Sequence, residues 1–320
     1  MALFVAAMSS IAACEKPCQV IDSDSERADE HCAASVLVGL LGGLGPASSA
    51  AFTQRMVQAA QAAGATQDNH HVPFMLFSNP RLPNARLAAL GQGPSPVPGY
   101  CATFRALAAA GCTHVGSINN TGHTFAREAA NQLSIPLVDM IHATAQRAVQ
   151  VALSGPADST PGQGACESST GTQPVYYIGL LATDATVQMG LYQDAIRAAA
   201  FSRAEAQVCV LSPSTQQLQA IQRCIDAAKA GKIGDIQQDT LLSVLSSLVA
   251  RGCSTAIAGC TELPLMLQWT ANETCAGCAV PVIDPLMCLA TRVTLLSART
   301  PVPAAGTEGA SCPSSSPSTH

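Results

Sequence analysis

The chain has 320 residues, of which 48% are hydrophobic and only 12% charged, and this composition excludes a largely disordered protein or a solvated coiled coil. The 16 basic and 21 acidic residues give a formal net charge of −5, and the basic residues stand singly, so we expect no nucleic-acid partner. The longest apolar stretches, such as Val175–Ala182, fall well short of the roughly 18 residues of a membrane-spanning helix, so we expect no membrane partner.

Short apolar runs alternate along the chain with stretches of helical periodicity. This alternation predicts repeated βα units, and near-continuous apolar strands linked by helices predict a parallel sheet covered on both faces. The predicted strands, in chain order, are Val36–Leu41, Val72–Phe77, His114–Ile118, Ile135–Ile141, Tyr176–Leu181, Gln207–Leu211, Ser254–Ala258 and Val280–Ile283.

Three stretches without periodicity divide the chain, and we expect each to be disordered. They are an N-terminal extension at 1–35, a linker or insertion at 154–174 and a tail at 300–320. The folded parts between them are predicted to be a first lobe at 36–153, a second lobe at 175–280, and a C-terminal strand and helix at 281–299 that could pack on the first lobe.

The 14 cysteines are spread over a long, apolar chain, which favours buried small hydrophobic residues over a disulfide scaffold. The single CxxC at Cys275–Cys278 has no second pair nearby and is a weak signal for zinc, so we expect no metal site. The apolar segment Met1–Cys14 is preceded by no Lys or Arg, which disfavours a secretory signal and predicts a cytoplasmic location.

The sequence contains an internal repeat. Val38–Leu41 returns as Ile178–Leu181, Asn120-Thr121 as Cys260-Thr261, and Pro136–Asp139 as Pro281–Asp284, always in the same order and about 140 residues apart. The prediction is therefore an α/β fold of two similar lobes, each a short, mostly parallel sheet covered by helices, related by internal pseudo-symmetry.

Ligands of open parallel sheets bind beyond the carboxyl ends of the strands, where loops lead into helices. Four such loops are predicted at Gly42–Pro46, Ser117–His123, Ala182–Thr186 and Gly259–Pro264. The first matches no nucleotide-binding fingerprint, although its glycines permit close backbone approach to a ligand. The repeat places the second and fourth loops in equivalent positions, so we expect them to face each other across a cleft.

Cys260 stands at a strand-to-helix turn and is followed by the polar residues Thr261 and Glu262, unlike a cysteine of the core. A helix dipole and free amides at such a turn are expected to lower the pKa of the thiol. A thiolate there can act as a base or a nucleophile.

Together, the motifs of these loops resemble the aspartate/glutamate racemase family. The motifs are Gly42–Pro46, Ser78-Asn79-Pro80 with Pro83 and Arg86, Asn120–His123, Leu180–Thr183 and Gly259–Pro264, and the resemblance runs from about residue 36 to residue 296. It implies an isomerase that needs no cofactor and binds a small dicarboxylate or amino acid. Relatives are commonly dimers, so it also implies a homodimer.

The resemblance implies a role for several residues of this chain. In that family, a facing pair of cysteines removes and returns the α-proton of an amino acid, and Cys260 would be one of the pair. Substrate carboxylates would be held by loop amides at Gly43 and Leu44 and by the side chains of Asn120, Thr121, Thr183 and Thr261. Arg86 would pair with a side-chain carboxylate, and Ser78 and Glu262 complete the expected substrate site.

Asn119 occupies the position at which the family carries its first cysteine. An amide has no useful pKa for proton abstraction, so the face opposite Cys260 would be served by His123, one turn along the next helix, or by a water held by Asn119. Two other functions stay open: a one-cysteine decarboxylase resembling the arylmalonate decarboxylases, and a catalytically silent dicarboxylate-binding relative.

Overall fold

The structure is a computed structural model that describes residues 36–155, 174–201, 207–269 and 275–298. Two four-stranded parallel sheets, each covered by helices, form its two lobes, with strand orders β2-β1-β3-β4 and β6-β5-β7-β8. The predicted two-lobed α/β fold is confirmed. The predicted extension at 1–35, the tail at 300–320 and positions 156–173 of the predicted linker lie outside the described residues.

The first lobe alternates strands and helices from β1 to α5. Its strands are β1 (Val38–Gly42), β2 (Phe74–Ser78), β3 (His114–Ser117) and β4 (Leu137–Val138). Its helices are α1 (Pro46–Ala62), α2 (Ala85–Ala89), α3 (Val97–Ala109), α4 (His123–Leu133) and α5 (Met140–Ser154).

The second lobe repeats the arrangement. Its strands are β5 (Val175–Ala182), β6 (Gln207–Leu211), β7 (Cys253–Gly259) and β8 (Val282–Ile283). Its helices are α6 (Asp184–Gln188), α7 (Leu191–Phe201), α8 (Thr215–Lys229), α9 (Asp235–Val249), α10 (Leu263–Met266) and α11 (Pro285–Ala298). The start of α8 is fixed by a capping box between Ser214 and Gln217.

The last strand of each lobe is shorter than the sequence predicts. The run Ile135–Ile141 contributes only Leu137–Val138 to the sheet, because Asp139 caps the following helix by accepting a hydrogen bond from the backbone nitrogen of His142 at 2.8 Å. Asp284 acts in the same way after β8, accepting from the backbone nitrogen of Leu286 at 2.9 Å.

The pairing register of the two sheets corrects one element of the sequence repeat. Ser117 pairs with Leu41 in the first sheet, and Ala258 pairs with Leu181 in the second. Since Leu41 and Leu181 end the repeated apolar runs, the residue equivalent to Cys260 is Asn119 and not Asn120, as the repeat of Asn-Thr and Cys-Thr suggests.

The two lobes exchange a helix. Helix α5 follows the last strand of the first sheet but packs its buried face, including Ile141 and Val149, against Ile178 and Leu180 of the second sheet. Helix α11 follows the last strand of the second sheet, and its Leu289 packs in the core of the first. This double crossover holds the carboxyl ends of both sheets against one shared cleft.

Three of the cysteines take part in disulfide bonds. Cys275 and Cys278 are joined by a disulfide, and Cys209 is disulfide-bonded as well, so these three are not the isolated apolar residues that the sequence suggests.

Among the described residues, no helix combines the length and the apolar character required to cross a bilayer.

Candidate active site

A cavity of about 510 Å³ lies between the lobes, at the carboxyl ends of the strands. This volume lies in the range of small-molecule sites. All four predicted loops contribute to its walls. The predicted site residues that line it are Gly43, Leu44, Arg86, Asn119, Asn120, Thr121, Thr183, Cys260, Thr261 and Glu262; Ser78 and His123 are not among its lining residues.

Cys260 lies in the wall of this cavity contributed by the second lobe, with 7% of the residue exposed. Its thiol donates a hydrogen bond to Oε2 of Glu262 at 3.1 Å. Burial, followed by the negative charge of Glu262, raises the pKa of the Cys260 thiol well above its usual value. The expected lowering of this pKa is therefore wrong, because the four-residue helix α10 provides a small dipole against burial and a carboxylate in direct contact.

Glu262 reaches from the second lobe to the loop Gly42–Pro46 of the first lobe, here called the glycine loop. Its Oε2 accepts from the Cys260 thiol and from the Thr261 hydroxyl, the latter at 3.3 Å. Its Oε1 is buried and has no hydrogen-bond partner among the described residues. A Cβ at Gly45 would stand 2.3 Å from this Oε1, so the carboxylate reaches this far only because position 45 is a glycine.

Hydrogen bonds within the protein hold the glycine loop in place and already occupy some of its polar groups. The Gly43 amide donates to Oγ of Ser49 at 2.8 Å and is therefore not free for a ligand, in contrast to the expectation for this residue. Gly43 has a φ of +88°, and a Cβ there would lie 2.6 Å from the backbone nitrogen of Asn79. Both facts require glycine at this turn.

Asn119 uses both ends of its side-chain amide to join two loops. Its Nδ2 donates to the carbonyl oxygen of Leu44 at 2.7 Å, and its Oδ1 accepts from the backbone nitrogen of Gly122 at 2.5 Å. The amide thus ties the glycine loop to the loop after β3. Both polar atoms are engaged before any ligand arrives.

His123 does not turn toward the cavity. Its side chain is fully buried, and its Nε2 lies 3.1 Å from Oδ1 of Asp139. The other carboxylate oxygen of Asp139 is held by Nε of Arg127 at 2.6 Å. The expectation that His123 leans into the cleft is wrong, because its ring contacts the Asp139 carboxylate and does not line the cavity.

Asn120 keeps one polar atom free beside the cavity. Its Oδ1 accepts from the Tyr192 hydroxyl, whereas its buried Nδ2 has no partner among the described residues. Nearby, the hydroxyls of Thr121, Thr183 and Thr186 form a triangle with sides of 2.8 to 3.1 Å. Thr121 comes from the first lobe and the other two from the second, so the triangle joins the lobes.

Among the residues that the structure describes, two cations line the cavity, and sequence analysis pointed to only one of them, Arg86. Arg86 donates from Nε and Nη2 to both oxygens of Asp184, at 2.7 and 2.6 Å, across the lobes. Lys229 is the last residue of α8 and also lines the cavity. Sequence analysis did not select Lys229 or Tyr192, because the packing of distant segments brings them close to the cavity; Asp184 lies in a predicted loop, but its pairing with Arg86 was not expected.

A family profile described as Asp/Glu/Hydantoin racemase matches residues 41–156 and 162–293 of the chain. Solved structures with a similar fold include Picrophilus torridus aspartate racemase, with 20% identity, 82% of this chain and 94% of that chain covered, and a TM-score of 0.60. An aspartate racemase homologue from Pyrococcus horikoshii has 16% identity, covers 82% of this chain and 98% of that chain, and has a TM-score of 0.56. At such identities the structural likeness establishes the fold.

Proposed function

Because the chain belongs to the Asp/Glu/Hydantoin racemase family, we propose that it is an isomerase that racemises a small acidic amino acid such as aspartate or glutamate, without cofactor or metal, using Cys260 as one acid/base group. The observation that carries the proposal is the Cys260 thiol, which lines the cavity between the lobes and bonds to Glu262. A group of this kind can take the α-proton of a bound substrate or return it.

Removal of an α-proton leaves negative charge on the substrate's carboxylate, so the site must supply hydrogen-bond donors. The buried Nδ2 of Asn120 is one donor without a partner among the described residues. Thr121, Thr183 and Thr261 place hydroxyls on the same cavity walls. We assign the α-carboxylate to this group.

The second carboxylate of an acidic amino acid needs a cation. Lys229 and Arg86 line the cavity from opposite lobes, so each is a candidate partner for this second carboxylate. Arg86 suits a carboxylate because its planar group donates two parallel hydrogen bonds, and it already makes such a pair with Asp184. A substrate carboxylate would compete with Asp184 for this contact.

Incubation of the purified protein with each enantiomer of aspartate and glutamate in deuterated water tests the proposal. We expect α-deuterium uptake by NMR and inversion by chiral chromatography. Replacing Cys260 by Ser should slow both by about 10²–10⁴-fold, the usual contribution of a general acid or base. Cys101→Ser is the matched control, since Cys101 is buried in the first lobe and lies outside the cavity lining. Absence of both uptake and inversion in the unmodified protein would contradict the proposal.

A second candidate is a one-cysteine decarboxylase, and two observations favour it. The Asn119 amide is engaged at both ends, and His123 faces Asp139, so no described side chain opposite Cys260 is an evident base. A thiol with a raised pKa suits protonation of the carbanion that departing carbon dioxide leaves. Release of carbon dioxide from disubstituted malonates, lost in Cys260→Ala, would support this candidate; release that survives the change would exclude Cys260 from the reaction.

A catalytically silent dicarboxylate-binding relative is the remaining alternative. Thermal stabilisation by succinate or aspartate, with neither proton exchange nor carbon dioxide release, would support it. The cytoplasmic location and the homodimer stay predictions.

A further inference from the structure

We propose that Glu262 binds the ammonium group of the substrate through its Oε1, so that the cavity selects amino acids over the hydroxy acids and plain dicarboxylates of the same length. This inference rests on the proposed function and specifies how that site recognises its substrate. It starts from the charges that line the cavity and from one buried oxygen without a partner.

The described residues lining the cavity include two cations, Arg86 and Lys229, and a single carboxylate, Glu262. The two positive charges balance the two negative charges of an acidic amino acid's carboxylates. The carboxylate would repel both of them, so a dicarboxylate without a positive group gains nothing from it. An ammonium group on a carbon between the two carboxylates would supply a positive charge that pairs with the negative charge of Glu262.

The atoms of Glu262 show which oxygen is available. Oε2 already accepts from Cys260 and Thr261, whereas Oε1 is buried without a partner among the described residues. A buried acceptor without a partner is costly, and hydrogen bonds to charged groups are stronger than neutral ones. An ammonium carries three N–H donors and a charge, while a hydroxyl at the same carbon offers one neutral donor.

The placement of Glu262 fits the position of a reacting α-carbon. Its Oε2 lies 3.1 Å from the Cys260 sulfur. In an amino acid whose α-carbon faces that sulfur, the nitrogen is bonded to this carbon and therefore comes close to the Glu262 carboxylate. The glycine at position 45 lets the carboxylate extend to the opposite wall. Glu262 therefore lies close to the positions that the α-carbon and the nitrogen of the substrate would take.

Occupation of Oε1 by an ammonium also acts on the thiol. Burial raises the pKa of Cys260 first, and the charge of Glu262 is the next cause. A bound ammonium offsets that charge, so the thiol becomes more acidic when an amino acid is present. The base would then form mainly in the complex with its substrate.

Calorimetric titration with both enantiomers of aspartate and malate, and with succinate, tests the inference. The wild-type protein should bind aspartate about tenfold or more tightly than malate, which corresponds to about 1.4 kcal/mol, and succinate more weakly still. In Glu262→Gln the preference for aspartate over malate should fall to about twofold or less, as expected when a charge-assisted bond becomes neutral. Glu128→Gln, which removes an exposed carboxylate on α4 outside the cavity lining, is the matched control and should keep the preference.

A second measurement follows the thiol directly. The thiolate ultraviolet absorbance, taken as wild type minus Cys260→Ser, should rise at lower pH with aspartate than with malate. This displacement should vanish in Glu262→Gln, which a purely structural role of Glu262 would not produce.

The outcomes separate the two proposals. Equal wild-type affinity for aspartate and malate would overturn the role of Glu262 and leave the proposed function standing, and this comparison needs no variant to fold. An undiminished preference in Glu262→Gln would overturn it as well. If the wild-type protein bound neither these three acids nor either enantiomer of glutamate, the proposed function would fail together with the inference.

Discussion

Asn119 and Cys260 occupy equivalent positions in the two sheets, two residues beyond the paired residues Ser117 and Ala258, yet their side chains differ in availability. The Asn119 amide is bonded at both ends to the backbone of its own lobe. The Cys260 thiol lies at the cavity and donates a hydrogen bond to the side chain of Glu262, two residues away. The pseudo-symmetric frame thus carries two different groups at equivalent positions of the cavity wall.

Replacing Asn119 by Cys is expected to raise the rate of inversion relative to the rate of α-deuterium uptake. The new thiol would stand opposite Cys260 and could protonate the second face of the α-carbon. NMR and chiral chromatography on the same reaction mixture give the two rates.

Asn119→Ala is the control for this change, because it removes the same bonds to Leu44 and Gly122 without adding a thiol. We expect both variants to lose about 1–3 kcal/mol of unfolding free energy, since a buried carbonyl and amide lose their partner. An inversion-to-uptake ratio in the Cys variant no greater than in the Ala variant would contradict the prediction.

Alkylation of Cys260 by iodoacetamide is expected to show a pH profile displaced to high pH. Burial and Glu262 raise the pKa of this thiol, and only the thiolate reacts. The half-maximal rate, measured by mass spectrometry of the Cys260 peptide, should therefore lie above the ordinary cysteine value of about 8.5. A profile centred below that value would indicate a thiolate at rest, as the sequence alone suggested.

Asp139 is expected to stabilise the fold in a pH-dependent way. Burial opposes its ionisation, but contacts with His123 and Arg127 outweigh burial and hold the pKa of Asp139 well below its usual value. A depressed carboxyl pKa contributes stability that is complete above the unfolded-state value of about 3.9 and is lost as the pH falls further. Asp139→Asn should therefore lower the unfolding free energy by about 1–3 kcal/mol at neutral pH, and the difference should shrink in acid.

Urea denaturation at neutral pH and near pH 3 measures this difference. Asp194→Asn is a suitable comparison, because Asp194 is exposed and pairs with Arg197 one turn away; its effect should be small at both pH values. A loss in Asp139→Asn that stays constant down to acid pH would argue against the assigned role.

Asp184→Asn is expected to release Arg86 toward a ligand. The two side chains are paired across the lobes but remain about 30% exposed, so their contact is worth at most about 1 kcal/mol. Affinity for succinate should rise by up to about fivefold, the equivalent of that energy. Asp194→Asn again provides the same charge change away from the cavity, and an equal rise in that variant would point to net charge and not to Arg86.

The sequence predicted the fold well where the signal was local. The strand Gln207–Leu211 agrees with the structure at both ends, and the repeated apolar runs at 38–41 and 178–181 lie at the centres of the two sheets. These features follow from apolar periodicity, which is written into neighbouring residues. The strand predicted at Ile135–Ile141 is too long, because Asp139 caps helix α5 and thereby ends the strand after the two residues Leu137 and Val138.

The candidate site was predicted in outline and not in electrostatic detail. Four loops, Cys260 and Asn119 meet at one cavity as expected. The direction of His123 depends on Asp139, sixteen positions later, and the partner of Arg86 comes from the other lobe. Lys229 lacks any local signal at all.

The alternation of strands and helices, the two-fold repeat and the loop that carries Cys260 could be read from the sequence, because each depends on residues close together in the chain. The groups that surround that thiol, the rise of its pKa through burial and Glu262, and the polar atoms without a partner among the described residues became known from the folded chain. Desolvation and Coulomb interactions depend on distance in space, and the helix exchange between lobes brings together segments that are far apart in sequence.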